Sequence, residues 1–194
     1  MNLTVNTFLT LDGVMQGPGS YDEDTSGGFE RGGWLAPLVD ADMLSIVADW
    51  YRHADALLMG RTTYDMMQPY WEPVHDPSDP VAAALNHLPK YLVSQTAVWP
   101  TWENTILISQ DVLANIQRLK AAGQGEIQVH GSYRLIRALH AAGMVDAYRI
   151  LIFPVVVGSG KRLFETGSEV SAYSLVDTRI TASGAVCLEL IATV

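Results

Sequence analysis

Gly60, Arg61, Thr62 and Thr63 stand together where the apolar run LLM gives way to a polar, helix-like stretch. Those residue types at a strand-to-helix junction suit an anion. The first turn of a helix presents unpaired backbone N–H groups and about half a positive charge. Glycine lets a ligand approach the backbone, threonine hydroxyls add donors, and arginine supplies a planar fork matched to phosphate. The competing reading is a capped surface helix, with Thr62 as N-cap and Arg61 as a solvated cation. VHGSYRL (129–135) repeats the pattern: a strand ends, a glycine turns, and Ser132 opens a helix. Two such turns on one sheet would bracket a pyrophosphate or a dinucleotide. Neither contains the G-x-G-x-x-G of a Rossmann turn. GSGK (158–161) does not complete a phosphate-binding P-loop either, because the first glycine would fall at Val155 and Arg162 follows the lysine.

Carboxylates form the second group. Asp12 precedes Gly13 after the first apolar stretch, and Asp40, Asp42 and Asp49 belong to the first helix. An acid near a reacting heterocycle can place or protonate it. Asp12 equally suits a turn that bonds its own backbone, and Asp42 a first-turn acid favoured by the helix dipole. Asp12 ranks ahead of Asp42. Phe8, Trp34, Tyr70 and Trp71 offer flat faces to a heterocycle, with Phe8 and Trp34 the candidates for substrate contact. Cys187 is the only cysteine, which excludes an intrachain disulfide and a cysteine-built metal cage. Without H-x-E or P-C-x-x-C, zinc-dependent deamination is excluded as well.

These residues need a scaffold, and the periodicity predicts an α/β one. LTVNTFLTL (3–11) alternates as a strand, and residues 13–33 form a Gly-rich loop long enough to be a lid. Val39, Met43, Ile46 and Trp50 share one face of a helix over 39–53. A strand at 55–59, a helix over 62–67 and a Pro-rich loop through residue 80 follow. Strands at 90–94, 105–109 and 126–130, helices at 111–123 and 132–143, and a strand at 146–158 interrupted by Pro154 complete the array. A hairpin around Ala182-Ser183-Gly184 ends it. The alternation predicts one domain with a mainly parallel sheet and antiparallel strands at the end.

Hydrophobic residues make up 48% of the 194-residue chain and charged ones 17%, a composition that buries itself. The net charge of −9 makes nucleic acid and anionic membrane poor partners. The opening segment lacks a basic, unbroken apolar leader, and no run approaches a membrane span, so a soluble cytoplasmic protein is expected. Residues 172–192 are apolar on more than one face, which predicts a homodimer.

LDGV, ALLMGRTTYD, KYLVSQT, VHGSYRLIRAL and MVDAYRILIFPVVVGSGKRLF, in that order, resemble the dihydrofolate reductase-like family. The branch is similar to the C-terminal reductase domain of the riboflavin-biosynthesis deaminase/reductase. The resemblance implies a three-layer α/β/α sandwich on a mixed sheet of about eight strands. It also implies NADPH as cofactor and a small heterocyclic or imine-like substrate. By this likeness Gly60, Arg61, Thr62 and Thr63 hold the adenosine phosphates, and Ser94 and Gln95 sit by the 2′-phosphate. His130, Gly131, Ser132, Tyr133 and Arg134 border the pyrophosphate, and Val14 approaches the nicotinamide. His130 stands where dihydrofolate reductases carry the first of two glycines and riboflavin-pathway reductases an acid. Its other reading is a core histidine bonded to a neighbour. The rival functions are dihydrofolate reduction and a non-catalytic nucleotide-binding module.

Overall fold

The computed structural model describes residues 1–96 and 99–193. Strand β1 (Asn2–Thr10) leads through a long loop to helix α1 (Ala41–Arg52), and β2 (Ala56–Gly60) runs straight into α2 (Arg61–Trp71). Helix α3 (Pro80–His87), strands β3 (Lys90–Val93) and β4 (Thr105–Ile108), α4 (Val112–Ala122), β5 (Glu126–His130) and α5 (Tyr133–Ala141) follow. The chain closes with β6 (Ala147–Phe153), β7 (Tyr173–Ile180) and β8 (Val186–Ala192). The eight strands form one sheet in the order β4-β3-β2-β5-β1-β6-β8-β7. Every ladder among β1 to β6 is parallel, whereas β8 pairs antiparallel with both β6 and β7. This is the mixed, mainly parallel sheet with a terminal hairpin that the sequence predicts.

The pleat divides the core. Ala56 and Leu58 of β2 face a cluster with Ile116 of α4 and Leu135, Ile136 and Leu139 of α5. Leu57 and Met59 turn the other way, toward Tyr51 of α1, Tyr64 of α2 and Leu85 of α3. Helices therefore cover both faces. Among the described residues, no helix is long and apolar enough to cross a membrane.

Several elements depart from expectation, among them the strand expected over 146–158, which ends at Phe153 before Pro154. Helix α1 begins at Ala41 because the Asp40 carboxylate accepts from Met43 N at 2.7 Å, leaving Val39 outside and exposed. Helix α2 continues beyond residue 67 through Pro69, whose missing N–H leaves the Asp65 carbonyl without its helical donor. Helix α3 is absent from the sequence reading, since its opening lies inside a Pro-rich stretch. Asp79 caps it by accepting from Val81 N and Ala82 N, Pro80 occupies the first turn, and the buried Lys90 ammonium donates to the Leu85 and Leu88 carbonyls at its end.

Candidate cofactor cradle and substrate cleft

Parallel strands deliver their carboxyl ends to one edge of the sheet, where both glycine turns meet. Ser132 adopts the left-handed conformation (φ 62°, ψ 51°) between Gly131 and α5. Its Oγ accepts from Gly60 N at 2.9 Å and donates to Thr63 Oγ1 at 2.9 Å. Two turns 72 residues apart are thereby joined into one surface. Neither α2 nor α5 has a side-chain cap or an acidic residue in its first turn. Their initial N–H groups and positive dipole ends are left for an anion. Gly131 (φ 60°) needs its glycine for the turn, and Gly60 has Ser132 Oγ within 3.5 Å of where a Cβ would be.

Around this surface, Thr62 is exposed, Thr63 is buried and committed to Ser132, and Arg134 is exposed. Arg61 pairs with Asp65 one turn along its own helix at 2.5 Å, with both side chains substantially exposed. Such a pair contributes about 0–1 kcal/mol and yields readily to a phosphate. Gly60 and Val93 are register partners in neighbouring strands, which sets Ser94 and Gln95 beside the cradle. Ser94 Oγ is already engaged with Thr96, while Gln95 is exposed. Tyr133 turns away from the turn: its hydroxyl donates to Glu165 and accepts from Arg137 at 3.0 Å.

His130 lies against α1. Its ring stacks on Tyr51 at 4.1 Å and 9°, and Nε2 lies 2.8 Å from Gln128 Oε1. Gln128 Nε2 donates to Trp50 O at 2.5 Å and to the Glu126 carboxylate, which leaves Gln128 Oε1 as an acceptor facing His130 Nε2, while the Asn6 amide nitrogen lies 3.2 Å from the same ring nitrogen. Asn6 Nδ2 donates to Gln128 Oε1 at 2.8 Å. Burial, with the Arg149 charge adding to it, pushes the imidazole down to about 3. Asn6 and Gln128 were not singled out in the sequence. Their signal is a polar residue between apolar ones in VNT and IQV, which also fits an exposed strand face.

A pH dependence follows from that shift. The unfolded chain protonates His130 near its ordinary 6.5 and the folded chain does not, so the unfolded state binds the extra proton below that value. Stability is therefore expected to fall as pH drops from about 6.5 toward 3, by about 1.4 kcal/mol per unit at steepest. Denaturant melts of wild type and His130→Gln at pH 7.5 and 5 check this: the wild type must lose more than the variant.

The remaining candidates lie where two loops cross. Residues 11–35 and 154–168 pair through Met15 N to Lys161 O (2.9 Å), Leu163 N to Gly13 O (3.2 Å) and a bridge between Val14 and Arg162. Asp12 clamps them: its carboxylate accepts from Thr10 Oγ1 (2.6 Å), Gly158 N (2.9 Å) and Val157 N (3.3 Å), with Arg162 Nη2 at 3.3 Å. Burial alone would raise this carboxyl, but those hydrogen bonds outweigh it and hold the group below the usual carboxylate range. Gln16, unremarked in the sequence, is the second fastening. It donates to Asp24 O and Ser26 O and accepts from Lys161 N, while its own carbonyl accepts from Trp34 Nε1 at 2.8 Å. Residues of both loops, Arg31, Gly32, Trp34 and Val156 to Gly158, line an open cleft of about 570 Å³.

Trp34 borders this cleft and meets Phe153 edge-on at 5.9 Å. Phe8 packs between Trp50 and Phe153 at the margin of the same apolar cluster. Val14 lies in the loop after β1. It is fully buried, with Phe29 and Trp34 in its cluster, and Gly160 is so close that a Cβ there would come within 2.7 Å of Val14 Cγ1. Its side chain is spent on packing and faces no open space. Asp42 accepts from Ala182 N at 2.9 Å and Asp40 from Ser183 N at 2.7 Å, so both tie α1 to the β7–β8 turn. Tyr70 and Trp71 meet each other at the far end of α2, away from the cleft-lining residues.

The chain is similar to known proteins in sequence and in fold. A curated relative, an uncharacterized protein of Bacillus subtilis (strain 168), is 29% identical over 186 residues, covering 95% of this chain and 91% of its own. The crystal structure of a putative riboflavin biosynthesis protein from Shewanella sp. PV-4 superposes with a TM-score of 0.69 at 18% identity, covering 100% of this chain and 99% of that one. Dihydrofolate reductase from Enterococcus faecalis, complexed with NADP(H), reaches 0.61 at 10% identity over 99% of this chain and 96% of that one. At such identities the two structures establish the fold alone, a dihydrofolate reductase-like one. The model of the RibD C-terminal domain matches residues 1–188, and the chain belongs to that family.

Proposed function

We propose that this protein is an NADPH-dependent reductase of the 5-amino-6-(5-phosphoribosylamino)uracil reductase type, acting in the cytoplasm on a small heterocyclic or imine-like substrate. The observation that carries the reading is the pair of uncapped helix starts, free of acid and fastened to each other by Ser132. Such a surface fits a pyrophosphate, with Arg61 and Arg134 as the nearby cations. The RibD-like and NADP(H)-bound neighbours support the same assignment.

NADPH would supply the hydride. The chain's own part is to hold the two reactants in register and keep water out. The cleft walled by Trp34 and the Val156–Gly158 segment is assigned to the substrate ring. Asp12 becomes a positioning residue, since both its oxygens are occupied by the loops it anchors, and Asp42, exposed, gives one oxygen to the Ala182 N–H of the β7–β8 turn. A carboxylate held ionised by three donors is a poor proton source near neutral pH.

Fluorescence titration with NADPH and NADH, followed by NADPH consumption against reducible pyrimidines, pterins and cyclic imines, tests the reading. Saturable NADPH binding with turnover on a pyrimidine supports it. Methotrexate-sensitive dihydrofolate turnover would reassign the enzyme, and binding without turnover on any of the panel would leave a nucleotide-binding module.

A further inference from the structure

The last turn of α1 and strands β6, β8 and β7 enclose a second cleft, of about 370 Å³. It shares no residue with the cleft bordered by Trp34. Asp49, Trp50 and His53 line it from the helix. Arg149, Glu189 and Asp177 face them as one row across the three strands, because each is the register partner of the next and register partners share a face. Arg179, two residues beyond Asp177 on β7, points to the same side. The volume lies within the range of small-molecule sites, about 300–1,000 Å³.

The polar groups of this wall do not satisfy one another. The Arg149 guanidinium is spent: Nη1 and Nη2 hold the Glu126 carboxylate at 2.6 and 3.0 Å, and Nε reaches Glu189 Oε1 at 3.0 Å. The second Glu189 oxygen has no partner among the described residues, and directly across the ladder stands another carboxylate, Asp177. Like charges in that relation oppose the pairing of their strands. Arg179 lies 3.4 Å from Asp49 and 3.5 Å from Asp177, too far from either for a firm hydrogen bond, and its Nε makes none. Trp50 adds a donor of another kind. It is 2% exposed, and its indole N–H meets no acceptor among the described residues, although a buried indole ordinarily finds one.

Those unmatched groups select the ligand. A simple cation would suit the carboxylates and leave the N–H groups of Arg179 and Trp50 unanswered. A simple anion would suit those donors and be repelled by Asp49, Asp177 and Glu189. A compact molecule carrying both charges answers both sets. His53 favours an ammonium as the positive end. Its Nδ1 donates to the Asp49 carbonyl at 2.7 Å, so the neutral ring presents Nε2 as an acceptor beside the two carboxylates, matching three N–H donors with three acceptors. Arg179 is loosely paired and partly exposed, so turning toward an entering carboxylate costs it little. We propose that this cleft binds a free α-amino acid as its zwitterion, the ammonium at Asp177 and Glu189 and the carboxylate at Arg179 and the Trp50 N–H. The site is separate from the cofactor cradle and does not depend on the cofactor reading.

Calorimetric titration of the full chain with each standard amino acid, and with methylamine and acetate as the two ends taken singly, is the test. At least one amino acid is expected to bind one to one with a dissociation constant of about 1 mM or tighter, and each single end at least tenfold more weakly. Arg179→Gln and Asp177→Asn change side chains that are 40% and 53% exposed, so the ligand-free melting temperature should stay close to wild type. Each should nevertheless weaken amino-acid binding at least tenfold, one through the carboxylate and the other through the ammonium. No saturable binding of any amino acid at about 10 mM overturns the proposal. So does methylamine or acetate binding as tightly as the best amino acid, because the cleft would then answer a single charge. Amino-acid binding that both variants leave unchanged overturns it as well, because the ligand would lie elsewhere.

Discussion

Gln16→Ala is expected to loosen the crossed loops more than any other single change there. The side chain is 4% exposed and all its hydrogen-bonding capacity faces inward: two donors to Asp24 O and Ser26 O, one acceptor for Lys161 N. Alanine leaves three backbone groups to find water or remain unmatched, at about 1–3 kcal/mol for each that stays buried. For a chain of this length, each kcal/mol lowers the melting temperature by about 2–4 °C, so a fall on the order of 5–10 °C is expected. Loss of hydrogen-exchange protection should be confined to residues 13–35 and 155–165. A uniform loss across β1, β5 and β6 would show that Gln16 supports the core rather than the cover. A melting point unchanged within a degree would show that solvent already reaches these groups.

Arg61→Ala is expected to weaken NADPH binding by about 10- to 150-fold. The figure is the roughly 1.5–3 kcal/mol of a hydrogen bond to a charged group, at 1.4 kcal/mol per tenfold. In the free protein the guanidinium is bonded to Asp65 at the surface, and that pair must open for the cation to reach a phosphate. Asp65→Ala removes the competitor and should leave NADPH affinity unchanged or improve it by a few-fold. NADH lacks the 2′-phosphate, so its affinity should respond much less to Arg61→Ala. Equal losses for both cofactors would assign Arg61 to the shared pyrophosphate. No loss for either would reduce Gly60 to Thr63 to the start of an ordinary surface helix.

Residues near in sequence were legible because their physics is local. The alternation of β1, the 43/46/50 stripe of α1 and the glycine turn before α5 each declare themselves within one or two turns of chain. The terminal hairpin did so too, because a short turn between apolar strands needs no distant partner. Helix α3 was missed for a local reason of its own: Asp79-Pro80 reads as loop chemistry until the cap is seen to be made.

The site divides along the same line. Two glycine turns with hydroxyls and arginines were recognisable as an anion cradle from residue type and order alone. Tertiary structure decided what each polar group was free to do. Ser132 reaches 72 residues back to Gly60, Asp12 reaches 146 forward to Gly158, and Asp42 reaches 140 forward to Ala182. A lone aspartate before a glycine looks the same in sequence whether it will meet a substrate or a loop. His130 shows the point most plainly. Burial and the Arg149 charge set its protonation, and its partner Gln128 is held in turn by the Trp50 carbonyl of helix α1. Residue type and spacing fix which hydrogen bonds a side chain can make; only the approach of distant segments decides which of them are taken.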